Sequence, residues 1–365
     1  MIKIKYSFSW LIVFTLLCAS FPSCSIDVTD ITLNVTKYQL APGETILLIA
    51  NVQPDNATNV NVTWTSNNPN VATVTDNGLV SAITEGNAII TVTTEDGNKT
   101  ASCDVTVNSI LRIVQWCDPQ LGFQIDYQIE FQDNYQNGLA QQRRAVELIN
   151  EIAPDALLIA GDMVHFPDND NYINAFLDIV AQVDKSIPIL FTPGNHDVCT
   201  PVTAESLQRY RSFFGDDLQT MERKGYSIIS ANSILLFGLE GGVPEGVPEE
   251  ERSLHTSRVK DALQNAKSKN QPIIAMTHYP PYRVEKHYDI RELFVENGSF
   301  VWLSGHWHIP WRYTYYHPGG VMEVLVGEST GANSDDFPLG FRLLTIYPDH
   351  SFDWDFIPLD YDNRN

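Results

Sequence analysis

The run Ile187-Pro188-Ile189-Leu190-Phe191-Thr192-Pro193-Gly194-Asn195-His196-Asp197 begins apolar, breaks at Pro-Gly, and ends on an amide, an imidazole and a carboxylate. Its first half reads as a buried strand and Pro193-Gly194 as the tight loop that follows it. Open α/β sheets place their active sites beyond the carboxyl ends of their strands. The stretch therefore predicts an α/β domain with metal-binding or proton-transferring groups at a strand end. A lone loop histidine is more often satisfied by ordinary hydrogen bonds, so the reading depends on what the other strand ends carry.

Working outward, residues 111–116 and 156–160 are apolar runs that read as further buried strands, with helical periodicity at 140–151 and 172–183 between and after them. This βαβαβ order predicts a parallel sheet with helices outside it. Toward the C-terminus, strands are expected near 227–229, 234–238, 273–277, 300–304, 321–326 and 343–346. Their close spacing predicts a second, more antiparallel sheet packed on the first.

Polar groups recur at the ends of these strands. Asp118 and Gln120 follow the first, Gly161-Asp162 the second, and Gly194-Asn195-His196-Asp197 the third. His278 and then Gly305-His306-Trp307-His308 follow two later ones. Carboxylate, amide and imidazole donors with no thiolate suit divalent Mn, Fe or Zn. Two such ions about 3.5–4 Å apart can clamp a phosphoryl group and acidify a bridging water. One carboxylate must bridge them, and an Asp with two oxygens can. Glycine before Asp162, Asn195 and His306 is expected to let the backbone turn sharply.

In order and spacing, Asp118-Pro119-Gln120, Gly161-Asp162, Gly194-Asn195-His196-Asp197, His278 and Gly305-His306-Trp307-His308 resemble the calcineurin-like metallophosphoesterase family. Asp118-Pro-Gln-Leu-Gly122, Gly161-Asp-Met-Val-His165 and the segment from Asp197 to Ser206 look like its branch of calcineurin-like phosphoesterase domain-containing protein 1. The resemblance spans about 111–359 and implies a four-layer α/β/β/α sandwich holding two divalent metal ions. One ion would be held by Asp118, Gln120, Asp162 and His308, the other by Asp162, Asn195, His278 and His306. His196 would protonate the leaving oxygen, and Asp197 would orient His196. Most of the family has His where this chain has Gln120, a weaker neutral donor, but the narrower branch shares the Gln. Purple acid phosphatases need Tyr three residues after the Gly-Asp aspartate, and that position is His165 here.

Residues 27–107 are rich in Thr, Asn, Val and Ile, with alternating runs at 31–36, 88–93 and 102–107 separated by turn signals such as Pro42-Gly43 and Asp76-Asn77-Gly78. About seven short strands at this spacing predict an all-β antiparallel sandwich with Trp64 in its core. Ala41-Pro-Gly-Glu44, Val62-Thr-Trp-Thr-Ser66 and Gly86-Asn-Ala-Ile-Ile90 resemble the bacterial Ig-like group 2 domain, which implies a surface spacer or binding module. No cluster of metal-binding residues appears in it.

Residues 1–23 read as a signal peptide, with Lys3 and Lys5 ahead of an apolar stretch, 10–17, too short to span a bilayer. Cys24 is placed as the lipidated residue of a bacterial lipoprotein, so the expected domains are 1–23, 24–108 and 109–365. This predicts an exported outer-membrane lipoprotein facing the periplasm or the cell surface and held through a lipid anchor. A formal charge of −22 argues against a nucleic-acid partner recognised by a basic surface. Cys103, Cys117 and Cys199 have no disulfide spacing and read as small buried residues. Residues 126–136 and 241–252 read as loops over the site. An aromatic series from Tyr279 to Tyr316, including Tyr282, Trp307 and Trp311, reads as sheet packing before it reads as a base- or aryl-stacking wall. The expected activity is hydrolysis of phosphoesters, monoesters first, on a phosphorylated small molecule or phosphoprotein. Diesterase activity on the same site and a non-catalytic surface adhesin are the alternatives.

Overall fold

A computed structural model describes residues 25–123, 131–198, 202–237, 249–281, 288–331 and 338–359. The expected signal segment, Cys24, Cys199 and Tyr282 lie outside the described residues.

Residues 30–107 form nine short strands in sheets of two, three and four. The period-2 burial of Gly86–Thr94 and Thr100–Val107 turns Ala88, Ile90, Val92, Cys103, Val105 and Val107 inward. Trp64 is partly buried against that core. One pair, Lys37–Leu40 with Thr100–Val107, is parallel, so the sandwich is not wholly antiparallel.

The second domain contains two sheets. The first runs, in spatial order, Ile189–Phe191, Ala156–Ile159, Leu111–Trp116, Gly340–Ile346 and Phe352–Pro358. Its first three strands are mutually parallel and the last two antiparallel. The second runs Leu218–Arg223, Tyr226–Ala231, Ile273–Met276, Ser299–Ser304, Gly320–Val326 and Trp311–His317. Its four central strands are parallel and only the edges antiparallel, a correction to the more antiparallel sheet expected from close spacing. Strands such as Ala156–Ile159 and Ile273–Met276 are buried at every position, as sheets covered on both faces require.

Leu111, Ile113, Leu158 and Leu344 of the first sheet meet Ile228, Ile274, Met276, Leu303 and Leu325 of the second in one core between the sheets. The outer faces pack on helices Phe131–Ile152 and Asp170–Val180 on one side, and Glu249–Ser268 and Tyr288–Glu296 on the other. The layers are therefore α/β/β/α. Each fully buried aliphatic side chain contributes about 1.5–3 kcal/mol to holding them together. Free Cys103 and Cys117 are buried in these cores.

Three local expectations change. Residues 233–237 form a helical turn and not a strand, because the Asn232 side chain accepts from the Ile234 and Leu235 N–H groups and caps it. Residues 343–346 belong to the first sheet. Residues 131–136 and 249–252, read as loop, are the first turns of long helices.

Helix Glu249–Ser268 carries His255, 1% exposed, whose Nε2 accepts from the Asn232 N–H at 3.1 Å. Burial, opposed by Asp217 and helped by Arg258 and Arg211, holds its pKa down to about 4. The unfolded chain titrates near ~6.5, so between those values it binds the extra proton. Stability is thus complete above about pH 6.5 and declines as pH falls toward 4, by on the order of 3 kcal/mol. We expect the thermal midpoint of His255→Gln to fall less steeply than wild type between pH 7 and 4.5; parallel curves would exclude the effect.

Candidate active site

All the candidate ligands lie at the carboxyl-terminal edge of the two sheets, and their loops are tied to one another. The loop after the first strand donates from the Gln120 and Leu121 N–H groups to the Asp162 and Met163 carbonyls, at 2.8 and 3.1 Å. The His196 N–H donates to Asp162 Oδ1 at 2.8 Å. The His306 N–H donates to both Asp118 carboxylate oxygens, at 3.2 and 3.0 Å. The first loop thus fixes the backbone of the second, and the other two N–H groups each orient a carboxylate belonging to another loop.

Left-handed backbone is concentrated among the candidate ligands, which supply half of the ten non-glycine positions with positive φ among the described residues. Asp118, Gln120, Asp162, His306 and His308 all have positive φ, between 37° and 73°. Five of the seven candidate ligands therefore occupy a region that costs a non-glycine residue on the order of 1–3 kcal/mol. The glycines beside them have two different roles. Gly161 has φ +88°, the turn expected of it, and a Cβ there would also lie 2.5 Å from the His278 ring. Gly194 and Gly305 are not in that region. A Cβ on Gly194 would fall on the Asp162 carboxylate, and one on Gly305 would lie 2.5 Å from Asp118 Oδ2. Close approach, and not a sharp turn, is what requires those two glycines.

Asp162 is the common member of the constellation. Its Oδ2 accepts from Gln120 Nε2 at 3.0 Å and lies 3.4 Å from His278 Nε2. Ligand atoms of Asp162, His278 and His306 all fall within 4.8 Å of one another. Asn195 Oδ1 is 3.1 Å from His278 Nε2, and His308 Nε2 is 3.3 Å from Asp118 Oδ1. The structure therefore brings all seven candidates together: Asp162 adjoins Gln120 and His278, Asn195 adjoins His278, and Asp118 adjoins His308 and, at 3.9 Å, His278.

The set fits metal ions. His278 Nδ1 lies 2.8 Å from the Ala160 carbonyl, which can only accept, so Nδ1 carries hydrogen. A neutral His278 then turns its Nε2 lone pair toward two acceptor oxygens, an arrangement that calls for a cation between them. A proton can serve in its place: burial pushes the His278 pKa down, but the Asp162 carboxylate outweighs it and lifts the value to about 9. Burial likewise resists ionisation of Asp162, yet the adjoining His278 holds that carboxyl well below the usual range. His306 is kept neutral by burial and by His278, with its pKa lowered to about 4. His308 is raised, because Asp118 outweighs burial. Gln120 Oε1 is buried with no hydrogen-bond partner, as a ligand oxygen facing a cation would be.

Asp197 does not orient His196. Its Oδ2 accepts from the Asp162 and Gly194 N–H groups at 2.7 and 2.8 Å, and its Oδ1 from the Met163 N–H at 2.9 Å. Burial and the neighbouring Asp162 charge raise its pKa, against those N–H groups. It clamps two ligand loops. His196 is held instead by His165: its Nδ1 lies 3.2 Å from the His165 carbonyl, and the two rings stack at 4.5 Å and 27°. Residues 195–198 form one helical turn, where adjacent side chains diverge, so Asp197 and His196 point to different partners.

Sequence reasoning also missed the segment after Gly320–Val326. The Ser329 hydroxyl donates to the Asp118 carbonyl at 2.7 Å, and Trp116 Nε1 donates to Thr330 Oγ1 at 2.6 Å. Gly327-Glu-Ser-Thr330 repeats the pattern of a strand followed by small polar residues, which was the available signal. Of the aromatic series, Tyr279 packs on His306 at 4.1 Å and Trp307 on Trp311 at 4.9 Å, whereas Tyr316 is exposed.

Residues 27–105 match the bacterial Ig-like domain (group 2), and residues 118–310, more than half of the chain, match calcineurin-like phosphoesterase. A serine/threonine-protein phosphatase CPPED1 from Danio rerio is 24% identical over 64% of this chain and 80% of its own length. The protein of that name from Homo sapiens is 22% identical over 59% and 72%. A solved dimetal phosphatase from Danio rerio aligns at 14% identity and TM-score 0.43, over 64% of this chain and 95% of its own. Phosphoric ester hydrolysis with two divalent metal ions is the chemistry of this family, and the donor set above suits it. The chain belongs to the calcineurin-like phosphoesterase family, with a bacterial Ig-like domain of group 2 ahead of the catalytic one.

Proposed function

We propose that the protein is an exported phosphomonoesterase, anchored through a lipid on Cys24, with its Ig-like domain serving as a spacer. The observation that carries the catalytic part is Asp162, buried between two donor groups, with the His196 N–H donating to its other oxygen. Two divalent ions held by Asp118, Gln120, Asp162 and His308, and by Asp162, Asn195, His278 and His306, would supply an activated water and neutralise phosphoryl charge. Oxygen and nitrogen donors without thiolate favour Mn, Fe or Zn.

The chain's own groups account for the remainder. His196 keeps Nδ1 engaged with the His165 carbonyl, which frees Nε2 to pass a proton to the departing oxygen. Asp197 fixes the Asp162 and Gly194 backbones and so the spacing of the ligand loops. The monoester reading is supported by the names of the relatives, and the export reading by Lys3, Lys5 and the apolar stretch before Cys24.

The test uses the chain from Ser25 onward, with metal content measured and phosphomonoesters compared with diesters in added Mn or Zn. Metal-dependent turnover of monoesters with little diester cleavage is expected. A diester preference would replace the monoester assignment, and no turnover of either would end the catalytic reading. Labelling of the full chain with a fatty-acid analogue, lost in Cys24→Ser, tests the anchor separately.

A further inference from the structure

The proton donor marks the side from which the leaving group departs, because the group that protonates an oxygen must lie within hydrogen-bond reach of it. What surrounds His196 therefore selects the leaving group. Its ring stacks on His165, and Phe123 and Phe166 meet the His165 ring edge-on at 5.1 and 4.6 Å. Phe166 continues to Tyr172 at 6.2 Å, and Tyr172 stacks on Tyr135 at 4.8 Å. The rings form one continuous series running away from the proton donor.

The series is built against the ligand loop itself. Gly122, two residues beyond Gln120, has φ +96°, and a Cβ there would lie 2.5 Å from the Tyr172 ring. Phe166 is 45% exposed, an unusual exposure for a large apolar ring next to a buried polar site. The charge around it is negative. Asp168 and Asp170 are exposed on the same segment, and Arg209 is already bonded to the Pro167 carbonyl and to Asp170. Beside Phe166 an anionic leaving group such as a nucleotide or sugar phosphate would meet these acidic side chains, while at the far end of the series the exposed Arg143 acts on Tyr135.

We propose that His165, Phe166, Tyr172 and Tyr135 form the leaving-group wall of the site and select phosphomonoesters of uncharged aromatic alcohols. This rests on the hydrolase reading above and adds the substrate class. In the reaction a water oxygen bonds to phosphorus as the bond from phosphorus to the aryl oxygen breaks. One proton passes through His196 to the departing alcohol, and the rest of the water remains with inorganic phosphate. A flat ring leaving beside Phe166 stacks on it, whereas the alkyl esters of serine and threonine offer it no face.

Aryl esters also have better leaving groups, so the comparison must hold that property constant. The experiment measures kcat/KM for phenyl phosphate and for a fluorinated alkyl phosphate whose alcohol has the acidity of phenol, with Mn added. A preference for the aryl ester of about 10-fold is expected, falling about 3-fold in Phe166→Ala and toward no preference in Phe166→Ala with Tyr172→Ala. The ratio of two substrates does not depend on how much of a variant is folded. Phe166→Tyr should restore it. Equal rates for the two esters in wild type, or a ratio unmoved by both variants, overturns the wall while leaving the hydrolase intact. Cleavage of neither ester, with diesters still turned over, overturns the phosphomonoesterase reading and the wall with it.

Discussion

Asp162→Asn is expected to lower kcat/KM for phosphoester hydrolysis by at least about 10³-fold and to lower bound metal with it, since metal-ion charge stabilisation is worth several kcal/mol and each ~1.4 kcal/mol is a decade of rate. Asp162 Oδ2 lies within 3.4 Å of donors on both sides, Gln120 and His278. The amide that replaces it keeps the volume and an acceptor for the His196 N–H, but it loses the charge that both halves share. Activity and metal content measured on the same sample decide the matter. A variant that retained both would remove Asp162 from the centre.

His196→Ala is expected to lower kcat by about 10²–10⁴-fold, the range for loss of a general acid, with metal content unchanged. The imidazole's hydrogen bond and ring contact are to His165, and Asp162 accepts from the His196 backbone N–H, which alanine keeps. The imidazole is partly exposed, so its removal should cost little stability. The loss should be greatest for alkyl esters and smallest for esters of acidic phenols, which depart without help. A uniform loss across leaving groups would assign His196 to binding phosphate and not to proton transfer. Together the two variants separate holding metal from moving protons.

Much of the site could be read from residue types alone. Carboxylates, amides and imidazoles directly after apolar strands are costly unless something uses them, and five strand ends carry them. Alternating elements predicted a parallel sheet with helices outside it and the family resemblance implied the α/β/β/α layering, but neither gave the strand direction of the second sheet. Close spacing between strands suggested hairpins. The parallel Tyr226–Ala231, Ile273–Met276, Ser299–Ser304 and Gly320–Val326 are joined by helices or by a detour through the edge strand Trp311–His317. The run 234–238 was misread because a short apolar segment has no period that tells strand from helix, and Asn232 as its cap was the overlooked sign.

The sequence by itself determined which side chains could serve as donors, in what order they occur and at which strand ends they stand, because ligand chemistry resides in the side chain. Tertiary structure decided who holds whom. Adjacency in the chain suggested that Asp197 serves His196, yet one helical turn sends the two side chains apart, Asp197 to the Gly194 and Asp162 backbone and His196 to His165. It also decided why Gly194 and Gly305 are glycine, since the atoms they make room for belong to Asp162 and Asp118, far away in sequence and touching in the fold.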